Sequence, residues 1–389
     1  MKRLLVLIGV LALVAAACSS SSDDETTTTV AAAAGGETTT TAAAVDGEMV
    51  ACAVDQVDGD LSLYNWSEYI EPELVTDFEA AYGVTVTETF YDSNEAMLAQ
   101  VEAGGANYDV IVPSDYMVTI MSEEGLVQPI SKDAVPNLVN LDPQFDTVPY
   151  DPSGEFSVPY QWGTTGIGFS YDEVDDAEGV SWAVIFDPEM SDDYAGQISL
   201  LNDPRETMGA ALKYLGYSVN TTDQAQLDEA TVLVSETKER LATFDSDAFE
   251  DLLVEGQTVV AHGYSGDFFS AFDDASTDDY DAYEDFGYAI PLEGGVKWVD
   301  TMAIPIGAEH PCTAHTFINF ILDAENGAAL TNFNYYASPN AASTEFIIPE
   351  ILEDETIYPS DEVLANLEFL QDTGDFEINY TDAFAAAKG

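Results

Sequence analysis

Leu61-Ser62-Leu63-Tyr64-Asn65-Trp66-Ser67-Glu68-Tyr69 is the stretch on which the fold turns. A short apolar run ends in two aromatic rings, a hydroxyl and a carboxylate, and Ile70-Glu71-Pro72 then opens a helix. A strand that ends where a helix begins places Trp66, Ser67, Glu68 and Tyr69 in one connecting loop. Ring faces attract ammonium groups and oxygens accept their protons, so the loop can grip an organic cation. The same residues also suit a packed core beside an exposed loop, and the rest of the chain has to decide.

The pattern repeats downstream. Glu73–Tyr82 carries Leu74, Phe78 and Tyr82 on one helical face, with Gly83 as the stop. Val84–Phe90 alternates Val and Thr as a strand does. Ser93 caps a helix running to about Ala103, closed by Gly104-Gly105. Tyr108–Val112 reads as a buried strand, and Pro113-Ser114 opens the next helix. Repeated β-α-β units predict an α/β fold with a mostly parallel sheet flanked by helices. Ligands bind beyond the carboxyl ends of such strands, where both the Trp66–Tyr69 loop and Ser114–Tyr116 fall. Later, Ile198–Leu201 is a strand that leads to a helix opening at Pro204. Thr222–Thr243 is expected as one long helix ending in Phe244-Asp245-Ser246-Asp247. Thr258–Ala261 is a strand running into Tyr264-Ser265-Gly266-Asp267, and Trp298–Pro305 is a strand carrying Asp300. No internal repeat is visible.

Four of these later segments carry the chemistry of the first loop. Asp203 and Glu206 bracket one helix start, and Tyr264 and Asp267 another. Trp298 and Asp300 alternate along a strand, so both point to one side of it. Tyr336 sits in a Ser-Pro turn. A charged amine held by a carboxylate nets about 1.5–3 kcal/mol per hydrogen bond. A ring face adds about 0.5–2 kcal/mol. Several of each are needed to offset an association cost of roughly 4–15 kcal/mol. Carboxylates at both ends with aromatic walls between them fit a polyamine.

The export features stand apart from this body. Lys2 and Arg3 precede an apolar run, Leu4–Ala17, which is short for a membrane span. Small residues before Cys18 resemble a bacterial lipoprotein signal, although Ala15 stands where that pattern usually has Leu; the alternative is a plain signal peptide cut nearby. The resemblance implies residues 1–17 as signal peptide and lipidation at Cys18. Ser19 to Gly47 has almost no large apolar residue and cannot bury enough surface to fold. It is read as part of a disordered tether over 18–57. Cys52 and Cys312 remain, and two Cys in an exported chain imply a disulfide, with two free thiols as the alternative.

The chain holds 9 Lys+Arg against 73 Asp+Glu, a net charge of −64. Such a field repels nucleic acid and anionic lipid, and attracts cations. Salt adaptation gives the same composition. Hydrophobic content of 46% suits a well-packed globular body, and a folded part of this length implies two domains.

Asn65-Trp66-Ser67-Glu68-Tyr69, Tyr91-Asp92-Ser93-Asn94-Glu95, Tyr108-Asp109-Val110-Ile111-Val112-Pro113-Ser114, Val158-Pro159-Tyr160-Gln161-Trp162-Gly163 and Tyr336-Ala337-Ser338-Pro339-Asn340 resemble, in order, the spermidine/putrescine-binding proteins of bacterial ABC transporters. The resemblance spans nearly all of Asp58–Tyr380. It implies a type II two-lobed periplasmic-binding-protein fold, each lobe a mixed, mostly parallel sheet, joined by hinge strands near Trp162–Gly168, Trp298–Thr301 and Tyr336–Asn340. Lobe 1 is then 58–163 with 301–337, and lobe 2 is 164–300 with 338–389. It also implies a lipid-anchored extracytoplasmic monomer that captures a polyamine, hands it to ABC permease subunits, and has no cofactor. Matching positions place Trp66, Ser67, Tyr69, Ser114 and Tyr116 on the first lobe. Asp203, Glu206, Ser246 and Gln371 come from the second, and Trp298, Asp300 and Tyr336 lie near the hinge. Tyr264-Ser265-Gly266-Asp267 looks like the putrescine-preferring branch, whereas Asp203, Glu206 and Gln371 look like the spermidine branch. Both ligands stay open.

Three rival classes remain. Adjacent Tyr335-Tyr336 is similar to the paired tyrosines of ferric-binding proteins. Paired acids such as Asp203 and Glu206 could serve hydrolysis, but no nucleophile elbow or metal motif accompanies them, and the three His are scattered. A polyamine sensor reporting to a receptor is the third.

Overall fold

The computed structural model describes residues 49–104, 107–174, 179–277 and 279–389. The signal peptide, Cys18 and the tether up to residue 48 lie outside the described residues.

The opening stretch folds as β1 (Leu61–Trp66). Its helix, Pro72–Tyr82, buries Leu74 and Phe78 and ends at Gly83, whose φ of 69° suits a residue without Cβ. β2 (Val86–Tyr91) and β3 (Val110–Ile111) pair with β1 in parallel on either side, giving the order β2-β1-β3. Between them, Ser93 Oγ accepts from Ala96 N and caps the helix Asn94–Glu102. Leu61, Leu63, Val110 and Ile111 meet Phe78, Met121, Phe317 and Ile318 in the first core.

The second sheet is built on β4 (Val158–Ser170), which is long enough to serve both lobes. The first half of β4 pairs with β9 (Lys297–Met302), and its second half lies between β7 (Val260–Tyr264) and β8 (Phe286–Ala289). β5 (Ile198–Leu200) and β6 (Leu241–Phe244) complete the order β6-β5-β7-β4-β8. β5 runs parallel to β6 and β7, whereas β4 is antiparallel to its neighbours. Bridges Ile111↔Ala303, Ser114↔Asp300 and Trp162↔Ala337 stitch the crossing strands to the first lobe and to the return after the helix Ala324–Asn334. Two further cores flank this sheet, one around Trp182, Ile198, Met208 and Tyr380, the other around Phe249, Phe268, Phe272 and Tyr288.

Several expectations need correcting. The helix expected over Thr222–Thr243 spans Gln224–Thr237, and residues 241–244 form β6 instead. Pairing of Ile198, Ser199 and Leu200 with Leu241, Thr243 and Phe244 overrides the local helical pattern. The strand expected over Trp298–Pro305 ends at Met302. The tether cannot be disordered as far as residue 57. Cys52 is bonded to Cys312 at a Cα–Cα distance of 5.3 Å, and Gln56 O accepts from Thr316 Oγ1 at 2.8 Å. Residues 52–57 therefore belong to the folded body. Among the described residues no helix is long and apolar enough to cross a membrane.

Candidate functional site

Trp66 is the last residue of β1, and its indole Nε1 donates to Val112 O at 3.0 Å. Tyr91 donates its hydroxyl to the same carbonyl. The two rings lie 4.6 Å apart, so the Trp66 plane is fixed from behind. Glu68 follows with φ of 52°, a left-handed backbone that costs a non-glycine residue about 1 kcal/mol or more. That turn exposes Ser67 and Glu68 while Tyr69 dives into the core, where Tyr160 donates to its carbonyl at 2.6 Å.

Ser114 occupies the N-cap position of the helix Asp115–Glu123 but makes no cap bond. Its hydroxyl donates to Asp300 Oδ1 at 2.7 Å and accepts from Asn94 Nδ2 at 3.0 Å. Asp300 arrives on β9 two residues after Trp298, whose Nε1 donates to Thr165 Oγ1 at 3.2 Å. Burial pushes the Asp300 carboxyl up to about 7, against the pull of its Ser114 hydrogen bond. The Tyr69 hydroxyl faces it without a hydrogen-bond partner of good geometry.

Asp203 caps the helix Pro204–Tyr214, its Oδ1 accepting from Arg205 N at 2.8 Å and Glu206 N at 2.9 Å. Glu206 is buried, and its Oε2 has no hydrogen-bond partner. Burial raises both carboxyls, with Glu95 adding to Asp203 and Asp203 adding to Glu206. Arg205 lies between them in sequence but turns away. Its guanidinium grips Glu377 at 2.6 and 2.7 Å and lies over the Tyr380 and Tyr116 rings. This guanidinium is thus engaged outside the cleft.

The far wall comes from the second lobe. Tyr264 ends β7, with its ring 6.0 Å from Trp298 and 6.4 Å from Trp66 of the opposite lobe. Asp267 is in the first turn of the helix Ser265–Ala275. Gly266 lets Tyr336 approach that turn, since a Cβ there would lie 2.3 Å from Asn334 O and 2.8 Å from the Tyr336 ring. Trp298 and Tyr336 rings are 5.1 Å apart. Ser246 Oγ accepts from Asn202 N at 2.9 Å.

Fourteen of the fifteen expected residues, Trp66, Ser67, Glu68, Tyr69, Ser114, Tyr116, Asp203, Glu206, Ser246, Tyr264, Asp267, Trp298, Asp300 and Tyr336, line this one cleft. Gln371 does not. It lines a neighbouring cavity, while its backbone carbonyl accepts from Arg205 and its N–H donates to Asn220. Lobe-to-lobe placement of the 364–372 segment has no local signal. Sequence reasoning missed Tyr91, Asn94, Asp115, Asp247, Glu250 and Leu370. Tyr91 and Asn94 stand in the family-like stretch Tyr91–Glu95, and Asp115 and Asp247 follow directly on Ser114 and Ser246. Glu250 had no signal beyond its charge. Asp115 is satisfied by Tyr116 N at 2.7 Å and Val299 N at 3.3 Å, yet burial pushes it up to about 8.

Eight carboxyl groups, from Glu68, Asp115, Asp203, Glu206, Asp247, Glu250, Asp267 and Asp300, thus line the cleft without one Lys, Arg or His among its lining residues. The paired tyrosines diverge: Tyr336 enters the cleft, whereas Tyr335, with φ of 58°, sends its ring towards Phe269. Burial raises both phenols, which opposes a tyrosinate pair. Ferric binding through that pair is therefore not favoured. Asp203 Oδ1 is held by two backbone donors of the helix it caps. His262 is buried, without hydrogen-bond partners and lowered to about 3 by burial, and it lies outside the cleft lining.

Two sheets joined by crossing strands, with an acidic and aromatic cleft between the lobes, define a two-lobed periplasmic-type solute-binding protein. The chain belongs to the bacterial extracellular solute-binding protein family, whose profile matches residues 73–359. It is 35% identical over 330 residues to the spermidine/putrescine-binding periplasmic protein of Escherichia coli (strain K12), covering 84% of this chain and 91% of that one. It is 36% identical over 314 residues to a putrescine/cadaverine-binding protein of Pseudomonas aeruginosa, covering 80% and 88%. Among solved structures, a putative spermidine/putrescine ABC transporter protein from Listeria monocytogenes superposes with a TM-score of 0.79 at 36% identity, covering 85% and 99%.

Proposed function

We propose that this chain is the extracytoplasmic solute-binding component of an ABC importer. It captures a polyamine, spermidine or putrescine, between its lobes and delivers it to the permease subunits. The observation that carries this reading is the cleft lining: eight carboxyls and seven aromatic side chains with no cationic residue among them. A buried acid without a counter-charge is costly, and an ammonium group offsets that cost. Ring faces of Trp66, Tyr264, Trp298 and Tyr336 pack the methylenes between amines. The names of the relatives support the same ligand class. Contacts from both lobes favour the closed form, which is how capture becomes a signal to the permease. The protein binds and releases; it does not turn its ligand over.

We draw the lobes as 58–163 with 301–337 and 164–300 with 338–389, residues 52–57 joining the first, with boundaries on the crossing strands β4 and β9 and on the return that bridges Trp162. The chain acts as a monomer held to the membrane through lipid on Cys18. A thermal-shift panel of diamines, triamines, amino acids and Fe(III) on the purified protein tests the ligand class. Stabilisation by di- and triamines is expected. Stabilisation by amino acids or Fe(III) instead of amines overturns it.

A further inference from the structure

Glu250 is the cleft acid that no motif announced. It sits on the short helix Phe249–Val254, is only 6% exposed, lines the cleft, and keeps Oε2 buried without a hydrogen-bond partner. A carboxylate oxygen in that state lacks the donor that buried polar groups require. The acids that face it are Asp267 and Asp251 of its own lobe and Glu68 of the opposite lobe. None of them donates to it as a carboxylate, and no basic side chain lines the cleft. Glu206 is a comparable case at another place: it is buried, its Oε2 has no hydrogen-bond partner, and Asp203 and Asp115 face it, with Thr165 and Arg205 opposing them. The two sets share no member, and the Tyr264 phenol feels Asp203 and Glu206 from one and Asp267 from the other.

We infer that Glu250 is a ligand-contacting counter-charge which, with Glu68 and Asp267, forms a second ammonium-binding pole of the cleft, so that the site requires an ammonium at each end of its ligand and rejects polyamines N-acylated at one end. The inference rests on the polyamine reading above. An amide nitrogen carries no charge and brings an acyl oxygen against carboxylates, so capping one terminal amine leaves one pole unpaired.

The test is titration calorimetry of the parent protein and Glu250→Gln with spermidine and with its two mono-N-acetyl isomers, beside the melting temperature without ligand. The amide keeps the shape and removes the charge, so the ligand-free variant should melt no lower than the parent. Spermidine affinity should fall about 10- to 100-fold, the range of a lost charged hydrogen bond. The parent should bind both acetyl isomers at least about tenfold more weakly than spermidine, and Glu250→Gln should lose that discrimination for one isomer only. Glu68→Asn, on the facing lobe, should narrow the same isomer's penalty, and it decides the matter if Glu250→Gln melts lower. Unchanged spermidine affinity in Glu250→Gln, or unchanged discrimination in both variants, overturns the inference while leaving the polyamine reading standing. A parent protein that binds none of the three overturns both.

Discussion

Asp300 is where the chemistry is most concentrated. It is buried, held by the Ser114 hydroxyl, and faced by Tyr69 and Tyr264, and no cationic residue lines the cleft around it. Asp300→Asn should weaken spermidine and putrescine binding by about 1.5–3 kcal/mol, because a bound amine loses its charged partner. Calorimetry checks this, and unchanged affinity for both ligands would remove Asp300 from the site. The direction of its ionisation yields a second prediction. Its folded-state value, about 7, lies above the ordinary 3.8, and Asp115 is raised in the same sense to about 8. Groups raised in this way contribute stability that is complete below about pH 4 and is lost as pH rises through about 7 to 8. A cationic ligand favours the ionised form, so its stabilising effect should grow over that window while the ligand-free melting temperature falls. Melting curves with and without spermidine at about pH 5.5 and 8 test it; a ligand-induced shift independent of pH contradicts it.

Among the elements, the helix Pro204–Tyr214 shows how one sequence signal serves two ends. Asp203-Pro204-Arg205-Glu206 reads as a capped helix start, and it is one. The same signal could not tell that Arg205 leaves the cleft for Glu377, 172 residues away. β6 failed as a local reading because residues 241–244 are strand only through pairing with β5. β1 and the helices after it were legible because apolar period and cap residues agree there. The Cys52–Cys312 bond ties the first folded residues to the start of the helix Pro311–Ile321. Replacing both Cys by Ser should cost about 2–4 kcal/mol in denaturant unfolding, chiefly through the freer unfolded chain. Ligand affinity should be unaffected, since neither Cys lines the cleft. A variant as stable as the parent would show that the bond adds nothing to the body it closes.

At the scale of the whole molecule, a net charge of −64 sets up self-repulsion that salt screens within about 10 Å at 0.1 M. Added sodium chloride should therefore raise the ligand-free melting temperature and slow ligand capture, which stopped-flow fluorescence of the cleft tryptophans can follow. A melting temperature that falls with salt would exclude surface repulsion as the dominant effect. The amino-acid sequence by itself determined the class of the molecule: β-α-β periodicity set the first sheet, and aromatic–acid pairs at element ends named most of the cleft. Those signals are local, since period, caps and loop position are all read within a few residues. Tertiary structure alone decided which acids are unpaired. Asp203 and Asp109 are both buried and both accept backbone N–H bonds, Asp203 in the cleft and Asp109 against Ser62 and His310. Glu250, which no sequence pattern singles out, is carried by folding into a cleft with no donor for its Oε2. A carboxylate's partners come from distant segments and from burial, and neither is written near it in the chain.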